Sequence, residues 1–277
     1  MGRTMLSIII VNFKNPALLR LCIKSVLRVI DPGFRHEIIV VDIASSIETS
    51  NVVLEEFKDI RLVSFRSNIG FTRGVNEGIK KSRGDYFLIL NPDVIPLDNS
   101  IESLHNYLND NHDVGMIGPR LLNFDGTSQN SCFRFPSPGI LLLRRTFMGE
   151  LAFGKKKLDQ YLMRDCNLKK ICYPGWLMGS AIMVSKKAVE KIGLMDENLF
   201  LYMNDVDWPR RFWENGYKVV YYPESTMYHY HKRDSKGRFI LFDLLLKKET
   251  RWHIKDAIRY FRKYSGKLDQ YQNKLTL

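Results

Sequence analysis

The sequence predicts an α/β fold with a mostly parallel central sheet and helices on both faces. Over the first 118 residues, short apolar segments alternate with segments in which apolar residues recur at helical spacing. The links between these segments are short, as in parallel strands joined by right-handed crossovers. Hydrophobic residues make up 45% of the 277-residue chain, which is enough for a sizeable core.

Each predicted element of this half follows from its apolar pattern. The predicted strands are residues 6–13, 37–42, 61–65, 86–90 and 114–118, and the predicted helices are residues 17–29, 49–57, 72–81 and 99–109. The uninterrupted apolar run from Phe87 to Leu90 is typical of a strand covered on both faces. That strand ends before Pro92, because proline has no backbone N–H to donate.

The alternation stops in the middle of the chain. Residues 120–175 contain turn signals and a basic run, Lys155 to Lys157. A long irregular segment inside a domain is usually functional or mobile. Regular patterns resume with a strand at 181–184, a helix at 186–192, a polar helix at 205–215 and a strand at 218–222, and residues 239–264 have a basic helical pattern.

Composition narrows the class of protein. The net charge of +12 indicates an anionic partner or a solvated lysine-rich surface. Nucleic acid is not expected as the partner, since the chain lacks a helix-turn-helix, zinc or RNP signature. No signal peptide and no apolar run near the roughly 18 residues of a membrane span is found. With four cysteines and no CxxC spacing, we expect free thiols and a cytoplasmic protein.

Two aspartates follow predicted strands at the edge where open α/β sheets bind ligands. Asp42 ends the second strand, and Asp93 comes just after the fourth. Such a pair could hold a base or ribose and a metal-bound diphosphate, although each aspartate alone is more often a cap or turn residue. The turn from Asn12 to Pro16 contains no glycine and no P-loop is present, so the two common phosphate-binding loops are not expected.

A second polar group lies in the later half of the chain. Asp205, Asp207 and Arg211 fall within two turns of a predicted helix, and His229 follows the next strand. Nearby aromatic residues would exclude water and raise the basicity of a carboxylate, as a general base requires. The alternatives are an N-cap aspartate and a structural histidine.

Together these segments resemble the family 2 inverting glycosyltransferases of GT-A fold, in particular bacterial rhamnosyltransferase-like members of cell-envelope polysaccharide synthesis. The resemblance runs from Ser7 to about Gly266. It rests on residues 7–13, 40–42, 68–71, Gly74, Asn76, Gly78, 90–93, 134–136, 176–179, 201–202, Asp205, Asp207, Arg211, 216–219, Pro223 and His229. Each motif is weak alone, and their order and spacing make the match specific.

The resemblance implies a role for each matching residue. Asp42 would contact the nucleobase, and Asn68, Gly70 and Arg73 would lie beside the nucleotide. Asp93 would be the metal-binding acid, joined by His229. Asp205 would be the catalytic base, with Asp207 and Arg211 shaping the donor site. The implied cofactor is Mn²⁺ or Mg²⁺. The implied donor is a dTDP- or UDP-sugar, and the implied acceptor is a glycan or a polyprenyl-linked glycan.

The resemblance also implies a domain organisation. Residues 1–235 would form the GT-A domain, with a nucleotide-binding half at 1–118 and an acceptor and catalytic half at 119–235. Residues 236–277 would form a basic amphipathic helical extension. Much of the acceptor site would come from residues 139–175.

Three positions depart from the family pattern. Asn91 replaces the first aspartate of the metal motif, Ile43 replaces an asparagine, and Asn204 replaces a glutamate beside the predicted base. The change at Asn204 keeps a second hypothesis open, namely a catalytically silent relative that binds sugar nucleotides or glycans.

The charge of the C-terminal helix suggests a membrane partner. Ile254, Ala257, Ile258 and Phe261 recur at helical spacing among lysines and arginines. This pattern suits a helix lying on an anionic bilayer, which would make the protein peripheral on the inner face of the cell membrane. Packing of the same apolar face on the catalytic domain is the alternative.

Overall fold

The computed structural model describes residues 4–144, 146–230 and 248–265. The strands are β1 (Leu6–Asn12), β2 (His36–Asp42), β3 (Arg61–Ser64), β4 (Tyr86–Leu90), β5 (Val94–Pro96), β6 (Val114–Leu122), β7 (Cys132–Phe133), β8 (Trp176–Leu177), β9 (Ala181–Ser185) and β10 (Lys218–His229). The helices are α1 (Pro16–Val29), α2 (Ile47–Glu56), α3 (Phe71–Lys81), α4 (Ser100–Asp110), α5 (Pro138–Leu143), α6 (Ala152–Tyr161), α7 (Lys186–Ile192), α8 (Asn204–Glu214) and α9 (Lys248–Lys263), with a 3₁₀ turn at Phe147–Gly149.

The central sheet has eight strands in the order β3-β2-β1-β4-β9-β6-β10-β5. β1 pairs in parallel with β2 and β4, β2 with β3, and β6 with β10. β9 runs antiparallel to β4 and β6, and β5 runs antiparallel to β10. The predicted mostly parallel sheet is therefore confirmed, with two reversed strands. β7 and β8 form a separate antiparallel pair.

The sheet is buried on both faces, as its apolar strands predict. Along β4, Leu88 and Leu90 pack on one core cluster, while Phe87 and Ile89 pack on the other. The first cluster includes residues of α1, α2 and α4, and the second includes residues of α3, α7 and α8. Side chains alternate across a strand, so a continuous apolar run fills both layers.

Two glycines let α3 approach the sheet closely. A Cβ at Gly74 would lie 2.5 Å from Ile43 Cγ2, and one at Gly78 would lie 2.4 Å from Ile9 Cγ2. Both contacts are too short for a side chain. This spacing of four residues puts both glycines on the helix face that meets β1 and β2.

The irregular middle of the chain contains short elements that the sequence pattern did not reveal, namely β7, α5, the 3₁₀ turn, α6 and β8. The prediction that the last strand ends at Tyr222 was wrong. A register shift between Tyr222 and Thr226 accommodates Pro223, and β10 continues to His229. A bulge of this kind absorbs a residue that cannot donate a ladder hydrogen bond. The extension pairs His229 with Val94 of β5.

The C-terminal helix packs against the catalytic half, which was the alternative to membrane binding, and Ala257 and Phe261 of the predicted apolar face are partly buried there. Its buried residues are Asp256, Tyr260 and Tyr264, whereas Ile258 is 47% exposed. The tyrosines belong to a core cluster that also contains Val206 of α8. The buried face is polar and aromatic because its polar groups bond to α8 and to the segment before it, as described below. Residues 239–247 of the predicted helix lie outside the described residues.

Within the described part of the chain, no helix has both the length and the apolar character that crossing a bilayer requires.

Candidate active site

The carboxyl edge of the parallel strands carries the first group of site residues. Asp42 is the last residue of β2 and pairs with Asn12, the last residue of β1. Asp93 follows β4, the neighbour of β1 on its other side. Two strand spacings separate β2 from β4, about 10 Å. That separation can accommodate a nucleotide lying across the edge.

Asp93 and His229 are brought together by β5 and β10. The N–H of Tyr230 donates to the backbone oxygen of Asp93 at 2.9 Å, one residue beyond the pairing of Val94 with His229. As a result His229 Nε2 lies 3.7 Å from Asp93 Oδ2. Burial raises the pKa of Asp93 to about 6. The predicted association of this acid with this histidine is therefore present in the geometry.

Gln129 orients the histidine, and sequence reasoning missed it. His229 Nδ1 lies 2.8 Å from Gln129 Oε1, and Gln129 Nε2 donates to the backbone oxygen of His229 at 2.8 Å. Since an amide oxygen only accepts, His229 carries its proton on Nδ1 and its lone pair on Nε2, on the side of Asp93. A second partner that fixes the ring in this way is typical of metal-binding histidines.

The chemistry of this pair fits a divalent cation. Asp93 Oδ1 is buried and has no hydrogen-bond partner among the described residues. A carboxylate and an imidazole are acceptable ligands for Mn²⁺. The described residues contain no group of three or more histidine, cysteine or acidic side chains able to hold a metal. Asp93 and His229 would hold such a cation, and phosphate oxygens or water would complete its coordination.

The loop before α3 is the predicted nucleotide loop. Asn68 is exposed, and its Oδ1 accepts a hydrogen bond from Gly70 N at 2.9 Å. Gly70 has φ +83°, and a Cβ there would lie 2.6 Å from the Phe200 ring. Only glycine fits this position, both for its conformation and for the space. Arg73 is exposed in the first turn of α3, so the loop presents polar groups at the sheet edge.

Asp42 is buried in this conformation. It is 0% exposed, and Asn12 Nδ2 donates both to Asp42 Oδ1 at 3.1 Å and to Thr49 Oγ1 at 3.2 Å. Burial raises the pKa of Asp42, and the bond from Asn12 acts in the opposite direction. Ile43 is buried and contacts α3. Contact between Asp42 and a nucleobase therefore requires the surrounding loop to move.

Asp205 lies in the first turn of α8 and is partly exposed. Burial raises the pKa of its carboxyl to about 7, while its own N–H, the N–H of Gly179 and the charge of Arg144 lower it. The helix begins after Met203, whose φ of +62° is left-handed. Such a conformation costs a non-glycine residue about 1–3 kcal/mol and is concentrated at functional sites.

A short backbone path connects Asp205 to the segment that contains Asp93. A Cβ at Gly179 would lie 3.3 Å from Asp205 Cβ. The next residue, Ser180, accepts a hydrogen bond from Asn91 N at 2.8 Å, two residues before Asp93. The antiparallel strand β9 starts at the edge where β4 ends, which puts the two acids on the same side of the sheet.

Asp207 and Arg211 form an ion pair with each other. Asp207 is 0% exposed, and its Oδ2 accepts from Arg211 Nε at 3.0 Å. Arg211 also donates to the backbone oxygens of Ile192 at 3.2 Å and Leu194 at 2.8 Å. The pair holds α8 to the segment after α7. The burial of Asp207 leaves its predicted contact with the donor without support in this geometry. The contact of Arg211, whose side chain is 17% exposed, stays a prediction.

The C-terminal segment is hydrogen-bonded to α8 and to the residues that precede α8. Tyr264 donates its hydroxyl to Asp207 Oδ1 at 2.8 Å. Asp256 Oδ2 accepts from the N–H groups of Leu201 and Tyr202, each at 3.1 Å. These bonds fix the segment that leads into Asp205. A regular basic helix gives no signal of such contacts, so the sequence did not point to Asp256.

Asn204, which stands where the family pattern has glutamate, has a structural role. It is buried, and its Nδ2 donates to Thr72 Oγ1 at 2.9 Å and to the backbone oxygen of Leu201 at 3.1 Å. Thr72 in turn donates to the backbone oxygen of Leu199. An ionised glutamate cannot donate these bonds. The amide therefore links α8 to α3 across the two halves.

The Glycosyl transferase family 2 profile matches residues 7–163, more than half of the chain. The chain belongs to this family. It is 28% identical over 214 residues to N-acetylglucosaminyl-diphospho-decaprenol L-rhamnosyltransferase of Mycobacterium tuberculosis, covering 73% of this chain and 68% of that protein. It is also 24% identical over 188 residues to a rhamnosyltransferase of Escherichia coli K12, covering 67% and 65%. The predicted resemblance is confirmed.

A hexosyltransferase of low-salt glycan biosynthesis from Haloferax volcanii is 28% identical over 206 residues, covering 73% of this chain and 59% of that protein. Two solved structures share the fold. GalNAc-T7 with UDP, GalNAc and Mn²⁺ has a TM-score of 0.63 at 14% identity, over 90% of this chain and 49% of that one. A Pyrobaculum calidifontis mannosyltransferase with GDP-Man and Mn²⁺ has 0.59 at 16%, over 94% and 65%. The GT-A fold is confirmed.

Proposed function

We propose that the protein is an inverting glycosyltransferase that moves a sugar from a nucleotide-diphosphate sugar to a hydroxyl of a glycan or lipid-linked acceptor. By analogy with the relatives that are named rhamnosyltransferases, the sugar would be rhamnose. The family membership and the names of the rhamnosyltransferase relatives support the class of reaction. The observation that carries the proposal is the placement of Asp205 on the same sheet edge as Asp93 and His229.

Asp205 would be the general base. An inverting transfer is an in-line displacement, in which the acceptor oxygen attacks the anomeric carbon as the bond to the diphosphate breaks. The acceptor hydroxyl must lose its proton to a group on that side. A carboxyl with a pKa of about 7 is ionised in half of the molecules near neutral pH and is basic enough to accept the proton.

Asp93 and His229 would serve the leaving group. A divalent cation held there would neutralise the charge that develops on the departing nucleoside diphosphate. The buried Asp93 Oδ1 and the fixed lone pair of His229 Nε2 support this assignment. The Mn²⁺ in the two structural relatives supports it as well.

The loop before α3 would bind the nucleotide. Asn68 and Arg73 offer exposed polar groups, and Gly70 allows the loop its close contact with Phe200. Asp42 would bind the base after local opening of its loop. Asp207 and Arg211 would act on the donor site indirectly, by positioning α8.

The direct experiment is a transfer assay with purified protein, Mn²⁺ and a panel of dTDP-, UDP- and GDP-sugars, using a polyprenyl-diphosphate-linked glycan as acceptor. We expect release of nucleoside diphosphate and a glycosylated acceptor with inverted anomeric configuration. Retention of the donor's anomeric configuration would contradict the displacement mechanism.

A catalytically silent binder of sugar nucleotides or glycans is the second candidate. This hypothesis rests on the absence of a glutamate before Asp205. The hydrogen bonds of Asn204 give that substitution a structural explanation, which weakens the hypothesis. Nucleotide binding without transfer or donor hydrolysis would support the silent binder over the enzyme.

A further inference from the structure

An exposed apolar surface lies on the α5–α6 hairpin, defined here by the described residues of 138–161. Thirteen large apolar side chains are exposed among the described residues. Four of them fall within twelve positions of this hairpin: Leu142 at 53%, Phe147 at 74%, Leu151 at 45% and Phe153 at 54% exposure. A cluster of exposed apolar side chains on a solvent-facing surface marks an interaction site, whereas scattered exposed residues do not.

The hairpin is compact rather than a loose loop. A Cβ at Gly154 would lie 1.9 Å from the backbone oxygen of Met148, and one at Gly149 would lie 2.3 Å from that of Leu143. These contacts hold α6, the 3₁₀ turn and α5 in direct backbone contact. The apolar residues are therefore presented by a fixed scaffold.

The same surface is strongly basic. Lys155, Lys156 and Lys157 are all exposed in the first half of α6. Two neighbouring aspartates are each paired with an arginine, Asp159 with Arg164 at 2.7 Å and Asp165 with Arg134 at 2.9 Å. These pairs neutralise each other, and the exposed Glu150 offsets one of the three lysine charges, so the local charge remains positive. An anionic partner with an apolar interior would match both features.

We propose that the apolar and basic surface of the α5–α6 hairpin docks on an anionic lipid bilayer. Its exposed phenylalanines and leucines enter the interfacial region, and Lys155 to Lys157 contact the headgroups. This assigns the contact to a different part of the chain from the C-terminal helix. The binding surface stands on its own geometry, and its purpose rests on the proposed lipid-linked acceptor.

The position of the hairpin suits that purpose. Tyr161, at the end of α6, lies near enough to Asp205 for the carboxylate to raise the pKa of its hydroxyl, and Arg144, after α5, lies near enough to lower the pKa of Asp205. Phe153 and Tyr161 are eight residues apart on one helix, about 12 Å. A bilayer that contacts the hairpin at Phe153 would leave the headgroup of a membrane-bound acceptor within reach of Asp205.

The test is sedimentation of the full chain with vesicles of phosphatidylglycerol and phosphatidylcholine, and with phosphatidylcholine alone, without donor or acceptor. We expect binding to the anionic vesicles at about 0.05 M salt and weakening at about 0.5 M. Replacing Lys155, Lys156 and Lys157 by alanine should weaken binding about fivefold per lysine. Phe147→Ser with Phe153→Ser should weaken it about tenfold or more.

Matched controls remove the same chemistry elsewhere. Ile47→Ser with Leu54→Ser removes two exposed apolar residues of α2, and Lys186→Ala with Lys187→Ala removes two exposed lysines of α7. Both controls should bind vesicles like the wild type. Since all substituted side chains are exposed, unchanged thermal melting checks the fold of each variant.

Several outcomes would overturn the proposal. These are equal sedimentation of the hairpin variants and the wild type, no vesicle binding by the wild type, or a change in oligomeric state on Phe147→Ser, which would indicate a second copy of the chain as the partner. Vesicle binding without transfer activity would refute the proposed function and leave the docking surface intact. Transfer to a short-chain, water-soluble acceptor without vesicle binding would support the proposed function and refute the docking surface.

Discussion

At the scale of single residues, burial at a strand or helix end gives each acid its chemistry. The pKa of Asp205 rises to about 7 and that of Asp93 to about 6, both because burial disfavours the charged form. The two acids then differ by their neighbours. Asp93 faces an oriented imidazole, as a metal ligand would, whereas Asp205 adjoins the tight backbone turn at Gly179.

Asp205→Asn should abolish transfer and leave donor binding nearly intact. Loss of a general base lowers the rate about 10²–10⁴-fold, and the amide cannot accept the proton. Turnover and calorimetric titration with nucleoside diphosphate and Mn²⁺ measure the two effects. Glu55→Gln, at an exposed carboxylate of α2, is the control. Near-normal turnover would exclude Asp205 as the base.

The same carboxyl predicts two effects of pH. The wild-type rate should rise with pH through about 7, as Asp205 loses its proton. Because the folded pKa lies above the ordinary value of 3.8, the folded state binds more protons between these values, and stability falls as pH rises through that window. The thermal stability of Asp205→Asn minus that of the wild type should therefore be larger at pH 8 than at pH 5. An equal loss of stability at both values would instead indicate a helix cap.

Asp93→Ala should weaken binding of nucleoside diphosphates more than binding of the nucleoside, because the cation attaches to phosphate oxygens. Chelation by EDTA should stop transfer by the wild type, and Mn²⁺ or Mg²⁺ should restore it. Thermal shifts with UDP or dTDP, each with and without Mn²⁺, measure the binding. Full activity in excess EDTA would assign leaving-group stabilisation to basic side chains.

At the scale of elements, α9 acts as a brace for the start of α8. Asp256 binds the N–H groups of Leu201 and Tyr202, and Tyr264 binds Asp207. The segment between Leu199 and Asp205 is thereby held from the C-terminal side, while Asn204 holds it from the side of α3. A base at the beginning of a helix depends on such contacts for its position.

Asp256→Ala should lower the free energy of unfolding by about 1–3 kcal/mol, since it leaves two backbone donors without their acceptor. It should also lower kcat more than it raises KM for the donor, because it displaces Asp205. Asp256→Asn keeps an acceptor oxygen and should recover much of both losses. Lys255→Ala, on the exposed side of the same helix, is the control. Loss of stability with unchanged kcat would limit Asp256 to a structural role.

At the scale of the whole molecule, polar side chains of α3 join the two halves. Asn76 is 1% exposed, donates to the backbone oxygen of Met195 at 2.9 Å and accepts from its N–H at 3.0 Å. Thr72 donates its hydroxyl to the backbone oxygen of Leu199. Because these bonds cross between the predicted nucleotide-binding half and the predicted catalytic half, we expect the two parts to unfold together.

Asn76→Ala should lower the free energy of unfolding by about 1–3 kcal/mol, because it leaves buried backbone groups of Met195 unpaired. Urea unfolding can be followed by circular dichroism and by tryptophan fluorescence. Trp176, Trp208 and Trp213 lie in residues 119–235 and Trp252 lies in α9, so that the fluorescence signal contains no tryptophan of residues 1–118. The two signals should coincide in the wild type. Separate transitions in the wild type would contradict the coupling.

The sequence by itself determined most of the strands, most of the helices and the family. Apolar runs such as residues 87–90 can be satisfied only inside a sheet covered on both faces, so local pattern and burial agree. The resemblance also selected Asp93, His229 and Asp205, which the structure places on one edge of the sheet. Their motifs are short, and their order along the chain carried the information.

Only the tertiary structure decided which polar residues lie at the sheet edge with Asp93 and which hold the fold together. Asp207, Arg211 and Asn204 stand beside the base in sequence, yet their side chains point into contacts with α7, α9 and α3. Gln129 and Asp256 gave no signal, because their partners lie 100 and 54–55 residues away. Contacts over such separations depend on how strands and helices are arranged in space, and local periodicity contains no information about that arrangement.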